Sequence, residues 1–468
     1  MAQPWRRMSR KTMSACGVCL GVLAAWPGGW GRGMTMPLGF AASGVSMASV
    51  LGGSAALLLA FFLLRKMTAK APYQYPRAPF AHARQPPSGT ESIAVIGSGP
   101  AGSTFVMCAE KWGLPVTVYD RLAELKQDES SYINFKNVGL KALGEVDPTL
   151  ETALRTNPTN LSPLTPIKTA AGETMVTIND PSAILLRRNE LSMVITSHCK
   201  TKVNYGAEVV GVTESDTGIV VHFADGTSAR HSFAVMCCGS RIRKVKSELD
   251  IEPKFYKKWV LRRVKDPDVA AKMPLHEQLF FGRAGKLIFT FPGEYLLISH
   301  KPIERGTTLT TEDVKREFAE FKGDVGAEFG GDLLNLVGDT EWHREKQYIT
   351  WRCPPPKKWF SGRSVAIGDA CHPMTPATGS GASMAVLDGI ELACQLVKVD
   401  WWEPSGLEQA FATFQGLRET QIKQLWKIDS LRNGMNDMTN PVGVLLRDLV
   451  YGVVFKITTT LAKRRTLR

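Results

Sequence analysis

Residues 91–121, ESIAVIGSGPAGSTFVMCAEKWGLPVTVYDR, constrain the fold of this chain more than any other stretch. An apolar run, Ile93–Ile96, meets the glycine loop Gly97-Ser98-Gly99-Pro100-Ala101-Gly102. An amphipathic stretch (Ser103–Trp112) follows, Gly113 stops it, and a second apolar run, Val116–Tyr119, ends in Asp120 and Arg121. This order predicts strand, turn, helix and strand, the start of an α/β sheet. The three glycines have separate reasons: one permits the tight turn, one lets backbone approach a pyrophosphate, and one lets the helix pack close to the strand. The helix N-terminus then offers unpaired N–H groups and its positive dipole end to phosphate oxygens. Asp120 follows Gly102 by 18 residues, where a carboxylate can accept hydrogen bonds from a ribose diol. A glycine turn before an ordinary helix would explain neither that acid nor its distance. The segment predicts dinucleotide binding without choosing between NAD and FAD.

A second segment, SVAIGDACHPMTPATGSGASMAVLDG at 364–389, lies roughly 250 residues further on. An apolar run ends in Gly368-Asp369, His372-Pro373 follows, and Pro376 precedes a Gly379-x-Gly381 pair. A helix then begins, with Met384, Leu387, Ile390, Leu392 and Leu396 as its apolar face. Between the two segments lies LLRRNELSMVI, residues 185–195. Together these motifs resemble the FAD-dependent aromatic hydroxylases, the single-component flavoprotein monooxygenases of the para-hydroxybenzoate hydroxylase type. The likeness spans most of residues 91–400.

The resemblance implies a Rossmann-like FAD-binding domain in two pieces, residues 91–245 and 351–400. Between them comes a substrate-covering β-sheet domain at 246–350, and after them C-terminal helices at 401–468. It implies that Gly368 and Asp369 close the FAD site, with Asp369 on the ribityl chain and Pro376 near the isoalloxazine ring. Gly379, Gly381 and Ala382 would open a helix facing the pyrimidine edge of the ring, where reduced flavin carries negative charge. Arg188 stands where the family places a cofactor-contacting arginine; on residue type alone, Arg187 and Arg188 read equally well as solvated charges at a helix end. His372 is the one acid–base candidate, and ordering of its own loop is the competing role.

The chain departs from the family at FAVMCCGSRIRKVK. Cys238 stands in the place of the family aspartate and only Gly239 matches. A weakly hydrogen-bonding thiol replaces a carboxylate there. Ser240, Arg241 and Arg243 are the nearby residues that could substitute, and an arginine-rich site would suit a 2′-phosphate. The departure puts NADH or NADPH as electron donor in doubt.

The middle of the chain reads as β-strands at Gln278–Phe281, Lys286–Phe291 and Glu294–Ser299, separated by glycine turns. Phe280, Phe289, Phe291 and Tyr295 are its aromatic candidates for a substrate lining, and equally for core. The end, PVGVLLRDLVYGVVFKITTTLAKRRTLR, carries apolar residues at helical spacing before a basic tail. That suits a helix on a membrane surface or one packed on the body.

The net charge of +13 resides at the ends: the first 90 residues hold ten Lys and Arg and no Asp or Glu. This speaks against a nucleic-acid face and for a leader. The leader contains VSMASVLGGSAALLLAFFLL, residues 45–64, long enough to span a bilayer and followed by Arg65-Lys66. A single-pass N-terminal anchor and a cleaved organelle-targeting leader both fit. A Pro-rich linker leads to the body at residue 91. The nine cysteines have no framework spacing and Cys237 adjoins Cys238, which suits a reducing compartment; no cysteine–histidine set has metal-site spacing.

The expected activity is insertion of one oxygen atom from O2 into an apolar or aromatic small molecule, possibly drawn from a membrane, through a flavin hydroperoxide. Two alternatives share the fold: a flavin-dependent reductase of the geranylgeranyl reductase type, and a non-catalytic flavin- or nucleotide-binding protein. Flavin halogenases also share it, but their Trp-x-Trp-x-Ile-Pro segment is missing here.

Overall fold

The computed structural model describes residues 83–126, 130–161, 164–215, 217–263, 275–299, 316–321 and 347–452, with residues 271 and 273. The candidate span 45–64, most of the linker and the basic tail lie outside the described residues. Among the described residues no helix is long and apolar enough to cross a membrane.

The glycine motif folds as its pattern requires. Strand β1 (Ile93–Ile96) runs into helix α1 (Pro100–Trp112), and β2 (Val116–Asp120) returns parallel to β1. Pro100 at the first helical position needs no N–H, and Gly113 ends the helix in the left-handed region at φ 82°. Around this unit six strands form one sheet in the order β17-β18-β11-β1-β2-β7. The added strands are β7 (Val203–Tyr205), β11 (Ala234–Met236), β17 (Phe360–Ser361) and β18 (Ser364–Ala366). All pairs are parallel except β17 with β18. Buried on both faces, β1, β11 and β18 are continuous apolar runs, as a helix-covered parallel sheet demands.

Helix α2 (Asn137–Val146) and α3 (Pro148–Arg155) follow a small ladder of β3 (Tyr132–Phe135) with β6 (Ile184–Arg187). Helix α4 (Arg188–Ser197) continues from β6. A meander of β8 (Val209–Glu214), β9 (Ile219–Phe223) and β10 (Ser228–His231) precedes β11.

A second sheet holds seven strands in the order β16-β12-β15-β14-β13-β4-β5. Its five strands from one edge are β16 (Gln347–Arg352), β12 (Lys254–Arg263), β15 (Glu294–Ser299), β14 (Leu287–Phe291) and β13 (Gln278–Phe281). The hairpin of β4 (Leu164–Thr169) and β5 (Thr174–Asn179) also belongs to it, with β4 parallel to β13. The sequence reading places residues 164–179 in the cofactor domain; alternation marks a strand without naming its partner.

Helix α5 (Gly381–Leu396) packs on α1 so closely that a Cβ on Gly389 would lie 2.9 Å from the Ala101 carbonyl oxygen. The expected single apolar face is corrected here, since every residue from Ser383 to Leu396 is buried. The helix is enclosed between α1 and α6 (Pro404–Asn436), and its buried polar groups are paired inside the protein. Helix α7 (residues 441–452) turns Arg447 and Tyr451 inward: Arg447 donates to the Gly282 carbonyl (2.6 Å) and Tyr451 to Asn436 Oδ1 (2.7 Å). Leu445 and Leu449, on the opposite side, are 61% and 59% exposed. The described part of the terminal helix thus packs on the body by one face and leaves an apolar pair outside.

Candidate functional site

At the end of β1 the loop is shaped by what its glycines exclude. Gly97 has φ 106°, and a Cβ there would lie 2.6 Å from the Cys237 carbonyl oxygen. A Cβ on Gly102 would lie 1.9 Å from the Gly97 carbonyl oxygen. Gly99 differs: its Cβ would meet nothing within 4 Å. The first two glycines are demanded by packing, the third leaves open space at the start of α1. That helix start has no side-chain cap and no acid in its first turn. Asp120 Oδ2 accepts from the Ser98 N–H (2.8 Å) and hydroxyl (2.7 Å), and Oδ1 from the Leu122 N–H (3.0 Å). Oδ2 is filled by Ser98, and Oδ1 retains acceptor capacity for a ribose hydroxyl.

The distant second segment arrives at the same place. β18 lies beside β11, and Gly368 (φ 59°) brings its backbone against α1, where a Cβ would lie 3.1 Å from that of Ala101. Asp369 then stands between two glycines: built Cβ atoms on Gly239 and Gly381 lie 4.0 Å from its Cβ and Oδ1. It is deep among protein atoms yet its side chain is solvent-exposed, as the wall of a cleft must be. Burial pushes its carboxyl up, with His372 and Arg188 opposing. Pro376 starts a short turn capped by Thr375, and Arg432 donates to the Ala377 carbonyl (2.7 Å). Gly379 is left-handed at φ 59°, and Gly381 and Ala382 open α5.

His372 has a different place from that of a cleft base. It is buried, with Nε2 2.6 Å from Asp388 Oδ2, and Asp388 Oδ1 accepts from Arg418 Nε at 2.7 Å. The Gly368 N–H donates to Asp388 Oδ2, the oxygen that faces His372, at 2.9 Å. Burial raises the Asp388 carboxyl, but the His372 and Arg418 charges override it and hold it below its ordinary value. The triad fixes the Gly368-Asp369 turn from behind. Asp388 and Arg418 are absent from the sequence reading; a carboxylate amid the apolar run of α5 was their available signal.

The two adjacent arginines separate. Arg187 pairs with the buried Glu294 (3.0 Å) and lies over Tyr132, 4.5 Å from its centroid, while Tyr132 stacks on Phe291 at 5.0 Å. It joins the β3–β6 ladder to the seven-stranded sheet. Arg188, at the start of α4, is exposed and close enough to Asp369 to lower its carboxyl. A strip from Gly99 past Gly239 and Asp369 to Gly381, with Arg188 beside it, therefore offers unpaired N–H groups, a carboxylate and a cation along one cleft. These donors and this open space fit an extended dinucleotide.

Comparison with known proteins agrees. A family model described as FAD binding domain matches residues 333–409. The FAD-dependent monooxygenase cctM of Talaromyces islandicus is 22% identical over 372 residues, covering 73% of this chain and 90% of the relative. The 3-amino-4-hydroxybenzoate 2-monooxygenase PtmB3 of Streptomyces platensis is 25% identical, covering 66% and 80%. Klebsiella pneumoniae HpxO, crystallised with FAD and uric acid, superposes with a TM-score of 0.60 at 18% identity, covering 79% of this chain and 97% of that one. By these matches the chain is similar to FAD-dependent monooxygenases of the aromatic-hydroxylase type.

Cys238 follows β11, and burial pushes its thiol up to about 12, so it is neutral. The two arginines proposed to stand in for the family aspartate are engaged elsewhere. Arg241 pairs with Glu208, and Arg243 stacks 3.9 Å from the Trp351 centroid.

The face of the second sheet turned toward β3 and β6 carries Ile167, Leu279, Phe289, Phe291 and Leu296, which register places on one side. Phe280 points to the other face beside Ile288 and is core. Glu277 interrupts the apolar face. Thr165 donates to it at 3.0 Å, and burial raises its carboxyl to about 7 despite Thr165 and Lys136. A surface groove of about 560 Å³ beside Gln85, Glu110 and Thr201 lies at the N-terminal ends of β1 and β2. Ligands of such sheets bind at the opposite, carboxyl ends.

Proposed function

We propose that FAD lies extended along the strip from Gly99 to Ala382, with its pyrophosphate at the start of α1, its ribose diol on Asp120 and its ribityl chain on Asp369. The observation that carries this is the meeting of Gly239, Asp369 and Gly381 around an exposed carboxylate, although they come from segments far apart in sequence. Ser98, Pro100, Ala101 and Arg121 shape the loop, Arg188 faces the cofactor, and Gly368, Pro376 and Gly379 set the turn under the ring. Bound FAD, reduced by NADH or NADPH, supplies the electrons that put one oxygen atom of O2 on the substrate and the other into water. The chain's own residues bind, orient and exclude water.

The substrate is an apolar or aromatic small molecule with a hydrogen-bonding group. Phe289 and Phe291 supply flat apolar surface and Glu277 with Thr165 one polar pole. Relatives named for aromatic substrates, such as 3-amino-4-hydroxybenzoate, support that class. We further propose a lipophilic substrate and membrane association, through an N-terminal anchor or retained leader and the exposed Leu445 and Leu449 before a basic tail. A cleaved organelle leader is the other address the N-terminus fits.

The test is the visible spectrum of the purified full chain after gel filtration with FAD, followed by oxygen uptake with NADH and NADPH separately. Retained flavin bands and substrate-dependent oxygen uptake are expected. Flavin reduction with turnover in the absence of oxygen would favour the reductase alternative. Anionic vesicles should pellet the protein, and Leu445→Glu with Leu449→Glu should weaken that binding, the N-terminal segment holding the remainder.

A further inference from the structure

Lys136 immediately precedes α2, and its backbone N–H donates to Ser383 Oγ in the first turns of α5 at 3.1 Å. That anchor swings the side chain over the turn beneath α5: a Cβ built on Gly379 lies 3.6 Å from Lys136 Cε and 3.9 Å from its Nζ. Among the described residues Lys136 makes no ion pair of 4 Å or less. The charged groups around it are Asp180 and Glu277, which favour its cationic form, and Arg432, which opposes it. Burial, with Arg432 acting the same way, outweighs the two carboxylates and lowers its pKa.

The setting is unfavourable for a cation. The N-terminus of α5 has no side-chain cap and no acid in its first turn, so its positive dipole end points at the same turn. Two positive features side by side repel unless something anionic comes between them. Nearby, the buried Asn134 Oδ1 and Thr378 Oγ1 also lack partners. The turn therefore suits an electron-rich group with a hydrogen-bond donor beside it: the lysine and helix end favour the first, and the Asn134 acceptor needs the second.

We infer that the Lys136 ammonium and the start of α5 together hold the pyrimidine edge of the flavin, favouring the reduced, anionic cofactor over the oxidised one. This rests on the ring placement proposed above. Lys136 thus acts as a positioning and tuning residue whose effect is largest when negative charge gathers at N1 and the C2 carbonyl.

The experiment is the two-electron midpoint potential of FAD bound to the full chain, measured by dye equilibration for wild type, Lys136→Met and Lys136→Arg. The expected result for Lys136→Met is a tenfold loss of preference for reduced over oxidised FAD, a potential lower by about 30 mV. Affinity for oxidised FAD, read by fluorescence quenching, should change much less, and Lys136→Arg should restore most of the potential. A merely structural lysine would weaken both redox forms alike and lower the melting temperature. Wild-type potential in Lys136→Met, with FAD still bound, overturns the role of Lys136 while leaving the site intact. A wild-type chain that retains no FAD overturns both the site and this inference.

Discussion

Asp388→Asn tests how the second segment is held. The substitution keeps shape and one acceptor but removes the charge between His372 (2.6 Å) and Arg418 (2.7 Å), all three side chains being at most 1% exposed. Removing one partner of a buried ion pair leaves the other charge uncompensated, which costs about 3–5 kcal/mol. That is a large share of the roughly 5–15 kcal/mol that keeps a domain folded. With about 2.1 cal/mol/K per residue over roughly 310 described residues, the unfolding entropy is about 0.66 kcal/mol/K and the melting temperature falls by about 5–8 °C. FAD affinity should fall too, because the Gly368 N–H loses its charged acceptor.

The sign with pH follows from the depressed Asp388 carboxyl. Its contribution is present above the ordinary value of 3.8 and is lost as pH falls through the lower folded value. The gap between wild type and Asp388→Asn should be constant near neutrality and close below pH about 4. Differential scanning calorimetry with bound-flavin absorbance reads both quantities. A loss under about 1 kcal/mol would refute the reasoning, since it would mean water reaches the triad. His372→Asn separates support from catalysis: support predicts lost stability and flavin retention, whereas an intact, flavin-loaded but inactive protein would return His372 to the chemistry.

Gly99→Val should leave the fold intact, because its Cβ meets open space, yet lower FAD affinity at least about a hundredfold by filling the phosphate cradle; Gly102→Ala should instead unfold the loop, and circular dichroism melts with flavin retention distinguish them. Arg187→Ala should destabilise by about 3–5 kcal/mol through the stranded Glu294, while Arg188→Ala should stay within about 0.5 kcal/mol in urea unfolding and weaken FAD binding about tenfold. Glu277, raised to about 7, favours the folded state at low pH and loses that contribution as pH rises from its ordinary 4.5 through 7. Glu277→Gln should therefore abolish the fall in urea midpoint that wild type shows between pH 5 and 8.

What could be read from residues alone was whatever the backbone encodes locally. Gly97, Gly99, Gly102 and Pro100 announce a turn and helix start because steric limits act within a few residues, so β1, α1 and β2 lie where the pattern puts them. The same holds for Gly368-Asp369 and the glycine pair before α5, and for three of the seven strands of the second sheet, β13, β14 and β15. The identity of Asp388 and Arg418 as partners of His372 was not legible, because α6 reaches that histidine only through tertiary packing. Nor was the choice between Arg187 and Arg188, which depends on β3 and β15 standing on one side of β6. The β4–β5 hairpin shows the same limit: alternation specifies a strand, but its neighbour is selected by long-range burial. The sequence determined which pieces carry the chemistry; only the fold decided which side chains face the cleft, because exposure and pairing depend on residues far apart in the chain.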